Sequence, residues 1–324
     1  MNQTRALIGT TFNCVDEIDA ALSTFTTHES LALLDEIVIV DGGSTDGTWE
    51  ALEEWGRRVE KFHPHIAPGA NISRGRNEAI KRSSADVLVT FDSGTTYADN
   101  WLQLMLAPFD NDEVHVVGGL TVCCGESLFE KAMAGFDHHS RTDRLHGSSH
   151  RGIAYRRSVW EYIGGYPEHV EAGEDSWFNT QWREAGYRYV HVPEAQTFWR
   201  VRANWKSAFK MMRRNIKGRV GLGHRHRLPR LFGIAAMYML LVVGAICGFF
   251  FSPCGYAVGC LFFCYISLRM FTRGRWRTFV NPIRFLFGLY ALSAVDLGSV
   301  LGLLEGLPLF LRQRAVGRKA ACDD

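Results

Sequence analysis

Short apolar runs alternate with amphipathic stretches along the first 200 residues of this 324-residue chain. Runs rich in β-branched residues are typical of strands buried on both faces of a sheet. They predict strands at 6–11, 37–40, 59–62, 86–91, 114–122 and 187–192. Helical spacing of apolar residues predicts helices at 16–25, 73–82, 99–108, 127–135 and 173–185. The alternation predicts an α/β fold with a mostly parallel sheet covered by helices on both faces.

The end of the second predicted strand is the most informative turn. The apolar run 37–40 stops at Asp41 and two glycines, and Ser44 or Thr45 is predicted to cap the helix that follows. Ligands bind at the carboxyl ends of strands in open α/β sheets, and free amides at a helix start suit a phosphate. An ordinary βα turn remains the alternative at this point.

Charge divides the chain into two different halves. Residues 1–200 carry 17 Lys and Arg against 30 Asp and Glu, whereas residues 201–324 carry 19 against 4. A basic half that leads into long apolar runs indicates an anionic lipid surface rather than nucleic acid. The eight cysteines form no CxxC pair, and the N-terminus lacks a signal pattern. We therefore expect no zinc site and a soluble half that stays in the cytoplasm.

Four regions are predicted from these patterns. Residues 1–204 form a globular α/β domain, and 205–230 contain a basic amphipathic helix suited to a membrane interface, with DNA binding as the weaker alternative. Residues 231–312 form a membrane region of two or three spans, and 313–324 a basic tail. The runs 231–251 and 254–268 are the first two spans, whereas 279–311 is a third span or a re-entrant hairpin. These spans predict a multi-pass protein of the cell membrane.

A polar stretch at 137–151 interrupts the alternation with four histidines and three arginines. Its spacing fits no common metal site, so a solvated loop and a phosphate-binding loop remain the two interpretations. In the second interpretation Arg141, Arg144 and His146 would bind a diphosphate, together with Arg202.

Four motifs occur in an order known from one enzyme family. They are Thr10-Thr11-Phe12-Asn13, Asp41-Gly-Gly-Ser-Thr-Asp-Gly-Thr48, Ser73-Arg-Gly-Arg76-Asn77 and Gly173-Glu174-Asp175. On these motifs residues 4–205 resemble the family 2 glycosyltransferases of GT-A fold. Within that family the chain resembles the membrane-attached members that act on polyprenyl-linked acceptors. The C-terminal part would then supply interfacial and transmembrane helices.

The resemblance implies a role for each matched residue. Thr11, Asn13, Asp16, Gly43 and Ser44 would line the nucleotide site. Asp41 would read the edge of the base, Arg76 would face the diphosphate, and Asp92 would mark the ribose and metal region. Asp175 would be the catalytic base beside Glu174, which is assigned to the same catalytic pair.

The metal motif departs from the family. The usual Asp-x-Asp is here Asp92-Ser93-Gly94, so Asp92 is the only acid in the motif available to a divalent ion. The resemblance implies Mg²⁺ or Mn²⁺ at Asp92. Cys14 also replaces a Glu that often follows the Asn, which gives the ribose contact to Asp16.

The expected function is an inverting transfer of a sugar from a UDP- or GDP-sugar to a polyprenyl-(di)phosphate-linked acceptor at the cytoplasmic membrane face. Such an enzyme serves the assembly of a glycan, a polysaccharide or a glycoprotein. The alternatives are a polyprenyl-phosphate monosaccharide synthase and a non-catalytic nucleotide-sugar-binding membrane scaffold. A nucleotidyltransferase would need a glycine-rich basic loop near the N-terminus, and a processive synthase a Gln-x-x-Arg-Trp motif after Asp175; neither occurs. No nucleic acid partner is expected.

Overall fold

The computed structural model describes residues 3–136, 151–223, 228–250, 252–271 and 281–320. These residues form two compact units. Residues up to 123 together with 151–200 make the first unit, and residues 124–136 together with 201–320 make the second. The chain thus enters the second unit twice, whereas the sequence predicted a single boundary at 204.

The first unit is built on an eight-stranded sheet of order β3-β2-β1-β4-β7-β6-β8-β5. The strands are β1 Arg5–Thr11, β2 Glu36–Asp41, β3 Phe62–Ile66, β4 Val87–Asp92, β5 Thr95–Tyr97, β6 Val116–Cys124, β7 Ile153–Arg156 and β8 Tyr189–Arg200. Strands β1 to β4 are parallel to one another, and β7 joins β4 in antiparallel fashion. The predicted α/β sheet is confirmed, with a parallel core extended by antiparallel strands.

Helices cover both faces of this sheet. They are α1 Val15–Ser23, α2 His28–Ala32, α3 Thr48–Arg58, α4 Ile72–Arg82, α5 Trp101–Leu106, α7 Arg157–Ile163 and α8 Glu174–Glu184, with a 3₁₀ turn at Ala107–Asp110. Alternate residues of β1 enter different cores, since Leu7 belongs to one apolar cluster and Ala6 and Ile8 to the other. Both faces of the central strands are therefore buried, as their continuous apolar runs require.

Two local predictions were wrong. The third strand lies at Phe62–Ile66, not at 59–62, because α3 continues to Arg58 and Val59 ends that helix. Helix α3 begins at Thr48 instead of at Ser44 or Thr45, because Gly47 precedes it with φ 100°. Four short elements, α2, β5, β7 and α7, were not predicted at all, since three to seven residues are too few to show a clear periodicity.

The second unit is helical. It contains α6 Leu128–Phe136, α9 Trp205–Gly221, α10 Leu228–Phe250, α11 Ser252–Phe271 and α12 Pro282–Ala320. Helix α12 is continuous, so of the two alternatives left open for 279–311 the re-entrant hairpin does not form. By length and composition, Leu228–Gly248 and Pro282–Leu311 are long and apolar enough to cross a membrane, whereas the apolar part of α11 at Tyr256–Arg269 is shorter.

Helices α9 and α12 pack side by side through a row of glycines. Cβ atoms added at Gly298, Gly302 and Gly306 would lie 2.7 Å from the carbonyl oxygen of Phe209, 2.4 Å from that of Arg213 and 2.9 Å from that of Lys217. Both series rise in steps of four, so the helices run parallel with their backbones almost touching. Arg213 Nε also donates to Glu305 Oε1 at 2.9 Å.

Polar side chains join two of the apolar helices, α11 and α12. Asp296 of α12 is fully buried and pairs with Arg269 of α11 at 2.8 Å, and it also accepts a hydrogen bond from Tyr265. An unpaired charge among apolar helices is costly, so Asp296 and Arg269 stabilise each other's position. This contact fixes α11 against α12.

Replacing Gly302 with Leu should disrupt the α9–α12 pair. The new side chain has no space against the Arg213 backbone, and overpacking of this kind costs about 1–3 kcal/mol. Thermal unfolding of the full chain in detergent would measure the loss. Gly233→Leu in α10 is the matched control, because no atom lies within 4 Å of a Cβ added there. Equal stability of the two variants would contradict the described packing.

Candidate active site

The carboxyl end of β2 carries a fully buried carboxylate. Asp41 Oδ1 accepts the amides of Gly43 and Ser44 at 2.9 and 2.7 Å. Its Oδ2 accepts the hydroxyls of Ser44 at 2.6 Å and Thr11 at 3.0 Å. The amides of Gly43 and Ser44 therefore donate to Asp41, and in this structure the carboxylate shapes the loop. The assignment of Asp41 to a base edge stays a prediction.

The loop after β1 is hydrogen-bonded to the same turn. Asn13 adopts φ 48°, and its side-chain oxygen accepts the Thr45 amide at 3.0 Å while its own amide donates to Ser44 Oγ at 2.8 Å. Asp46 caps the start of α1 by accepting the Val15 amide at 3.1 Å. Asp16, in the first turn of α1, is exposed. The predicted nucleotide residues thus meet around the ends of β1 and β2.

The end of β4 places a second carboxylate at the same edge. Asp92 pairs in register with Thr10 of β1, and its side chain is a quarter exposed. Asp92 Oδ1 accepts the Gly94 amide at 3.1 Å, whereas Oδ2 lies 3.7 Å from Arg151 Nε. The Arg151 guanidinium also stacks 4.1 Å from the centre of the Trp199 ring. Asp92 is therefore partly accessible, and the cation of Arg151 lies on its Oδ2 side.

Arg76 lies between the two halves of the predicted site. Its guanidinium is 2% exposed and pairs with Glu174 at 3.2 Å, in contact with the face of Tyr166. Burial acts to lower the pKa of Arg76, but the negative charge of Glu174, with smaller effects of Asp92 and Asp175, raises it above its ordinary value. Arg76 therefore stays cationic, and its charge is directed towards Glu174. Its predicted contact with a diphosphate stays a prediction.

Helix α8 presents the acidic pair. Gly173 precedes the helix with φ 93°, so Glu174 and Asp175 fall in its first turn, where the helix dipole favours negative charge. Glu174 is 6% exposed and points inward to Arg76, whereas Asp175 is half-buried and accepts the Ser176 amide at 2.6 Å. Of the two, Asp175 has the geometry of a group that can meet a substrate, and Glu174 that of a positioning residue.

Four residues were predicted to bind a diphosphate. Arg141, Arg144 and His146 fall outside the described residues, and Arg202 is exposed in the second unit between β8 and α9. Sequence reasoning missed Trp199 as a site residue and noted Arg151 only as one of the three arginines of the polar stretch 137–151. The contact of Arg151 with Asp92 depends on the order of the strands in the sheet, which the motifs do not show.

Removing the charge of Glu174 should destabilise the first unit. Glu174→Gln leaves Arg76 buried without its counter-ion, and breaking a buried pair typically costs about 3–5 kcal/mol. Chemical unfolding would show this loss. Glu113→Gln is the control, since its pair with Arg188 is exposed on both sides and contributes at most about 1 kcal/mol. A Glu174→Gln variant as stable as the control would show that the pair is dispensable.

The oxygen atoms at the edge of β4 fit a divalent ion. Mg²⁺ and Mn²⁺ prefer carboxylate oxygens and often take few protein ligands, with substrate phosphates completing the shell. Asp92 supplies such oxygens on a half-open surface. Among the described residues, no group of three or more His, Cys, Asp or Glu is arranged to hold a metal. A site here would therefore depend on the nucleotide as well as the protein.

Comparison with known proteins matches the part of the chain that forms this edge to a protein family. The family model "Glycosyl transferase family 2" matches residues 7–164, which include Asp41, Arg76 and Asp92 but not Asp175. The succinoglycan biosynthesis protein ExoA of Rhizobium meliloti is 29% identical over 64% of this chain and 69% of its own length. The glycosyltransferase AglE of Haloferax volcanii is 25% identical over 54% of this chain and 60% of its own.

A solved structure shares the fold. The mannosyltransferase PcManGT from Pyrobaculum calidifontis, solved in complex with GDP-Man and Mn²⁺, superposes with a TM-score of 0.63 at 15% identity. The match covers 94% of this chain and 88% of that one. This likeness confirms the predicted GT-A architecture. Residues 7–164 therefore form a glycosyltransferase family 2 domain, and the protein is a glycosyltransferase.

Proposed function

We propose that the protein transfers a sugar from a nucleotide diphosphate sugar to a polyprenyl-diphosphate-linked glycan at the cytoplasmic face of the membrane, with inversion. The observation that carries the proposal is that Asp92 at the end of β4 and Asp175 at the start of α8 are both partly exposed carboxylates. The negative charge of each raises the pKa of the buried Arg76. Relatives named for succinoglycan biosynthesis and for the O-antigen chain support an extended glycan as the acceptor.

Each residue of the site has a separate role in the proposed reaction. Asp175 accepts the proton of the attacking hydroxyl, and the new bond forms at the anomeric carbon as the bond to the nucleoside diphosphate breaks. Glu174 and Arg76 hold the start of α8 in place. A divalent ion bound at Asp92 would offset the charge that develops on the departing diphosphate. Asp41 and Asn13 keep the nucleotide-side loop in shape.

Membrane attachment follows from the outward faces of the helical unit. The apolar side chains of Met239, Val242 and Ile246 on α10 and of Phe263 on α11 are more than half exposed. Helix α9 instead exposes basic side chains, Lys206, Lys210, Arg213 and Arg214. We therefore place the α10–α11 hairpin in the hydrocarbon and α9 at the headgroups, where a polyprenyl-linked acceptor presents its phosphates.

A salt wash tests this attachment. Salt screens only the polybasic contribution of α9, so the full chain should stay in the membrane fraction at about 1 M salt and leave it in detergent. Release by salt alone would show that the apolar helices are not inserted.

Transfer from a panel of labelled nucleotide sugars to membrane lipid extracts tests the function itself. We expect label from one UDP- or GDP-sugar in a lipid-linked oligosaccharide. Label in a polyprenyl-phosphate monosaccharide would identify a monosaccharide synthase. Nucleotide binding without transfer from any donor would leave a binding scaffold.

A further inference from the structure

The loop after β4 lacks the second carboxylate of the Asp-x-Asp pattern, yet a carboxylate from another element faces the same gap. A Cβ added at Gly94 would lie 3.5 Å from Asp92 Oδ1 and also 3.5 Å from Glu17 Oε2. Glu17 belongs to α1 and is exposed. Its carboxylate therefore borders the space that a side chain at position 94 would enter, as does Oδ1 of Asp92.

Hydrogen bonds hold the start of α1 against the turn before α3. The Cys14 amide, immediately before α1, donates to Thr48 Oγ1 at 2.9 Å. The Val15 amide is fixed by Asp46, and the Glu17 amide donates to the Cys14 carbonyl at 3.0 Å. Glu17 thus extends from a backbone that is fixed two and three residues before it.

Arg151 pairs with the other oxygen of Asp92. Arg151 approaches Oδ2, whereas Oδ1 accepts the Gly94 amide and borders the gap shared with Glu17. The two oxygens of Asp92 therefore face different surroundings. Two carboxylates that face the same gap repel each other. A divalent cation bound to Oδ1 of Asp92 and to Glu17 would offset this repulsion.

We propose that Glu17 supplies the second carboxylate of a divalent-metal site whose first ligand is Asp92, in place of residue 94. Two carboxylates and a nucleotide diphosphate give an oxygen-only shell of the kind that Mg²⁺ and Mn²⁺ take. The three side-chain torsions of Glu17 let its carboxylate close on the ion. This inference rests on the proposed function only in taking a nucleotide diphosphate as the remaining ligand.

Binding of Mn²⁺ to the full chain in detergent, with UDP or GDP present, tests the proposal without any turnover. Free Mn²⁺ is counted by its electron paramagnetic resonance signal. Glu17→Gln should weaken binding by at least about tenfold, as the loss of metal-site partners typically does. Gly94→Asp in the same chain should restore it, since contacts at 3.5 Å leave room for the new side chain. Glu53→Gln, an exposed carboxylate on α3, is the control and should bind as the wild type does.

Wild-type affinity in Glu17→Gln, with binding lost in Asp92→Asn, would overturn the proposal and leave Asp92 as the sole carboxylate. Failure of Gly94→Asp to rescue a weakened Glu17→Gln would also overturn it, because the loss would then come from the fold of α1. Neither result bears on sugar transfer, which the donor panel tests separately.

Discussion

Asp175→Asn should abolish sugar transfer while nucleotide binding stays within a few-fold of wild type. The amide cannot accept the proton of the attacking hydroxyl, and general-base catalysis typically contributes about 10²–10⁴-fold in rate. The substitution preserves local structure, because an Asn oxygen can still accept the Ser176 amide that Asp175 Oδ1 binds. Initial rates of labelled transfer and equilibrium nucleotide binding together measure the two effects.

Glu171→Gln is the matched control for this variant. Glu171 is an exposed carboxylate four residues before Asp175, outside α8, and its loss should leave the rate nearly unchanged. A rate in Asp175→Asn close to that of the control would remove Asp175 as the base and, with it, the single-displacement mechanism. A parallel loss of nucleotide binding would instead indicate a damaged fold.

The sequence was sufficient for β1, β2 and β4 because each of these strands is buried on both faces and reads as an apolar run. It failed where pairing across the sheet decides the structure. Strand β7 has only four residues, and its place between β4 and β6 is set by partners distant in sequence. The sequence also did not reveal that residues 124–136 belong to the helical unit. This depends on packing between α6 and α12, including the contact of Phe129 with Tyr290.

The same limit applies to the site. Motif positions identified Asp41, Asp92 and Asp175, because each follows a strand or opens a helix in a recognisable pattern. The motifs could not show that Arg76 turns towards Glu174 or that Asp41 is occupied by its own loop. Nor could they bring Glu17 next to Gly94, since 77 positions separate the two along the chain and only the anchoring of α1 brings them together. The departure from the family pattern at Gly94 is visible in the sequence, but its compensation is visible only in space.

Removal of divalent ions by EDTA should stop transfer, and millimolar-range Mg²⁺ or Mn²⁺ (an order of magnitude) should restore it. The reason is the charge of the departing diphosphate, which Asp92 can help to neutralise only through a bound cation. Asp92→Asn keeps an acceptor for the Gly94 amide but removes the charge, so its rate should fall by about 10²-fold or more and no longer respond to the metal. Asp99→Asn, an exposed carboxylate in the following loop, should behave as wild type.

The rival explanation is that the guanidinium of Arg151, beside Asp92, neutralises the diphosphate without an ion. It predicts full activity in EDTA, a raised nucleotide-sugar KM but an unchanged kcat in Asp92→Asn, and a large loss of kcat in Arg151→Gln. The metal mechanism predicts the reverse order, because Arg151 then acts on the Oδ2 side of Asp92 and contributes less than the ion. Measuring kcat and KM for both variants across a metal titration therefore decides which cation carries the charge of the leaving group.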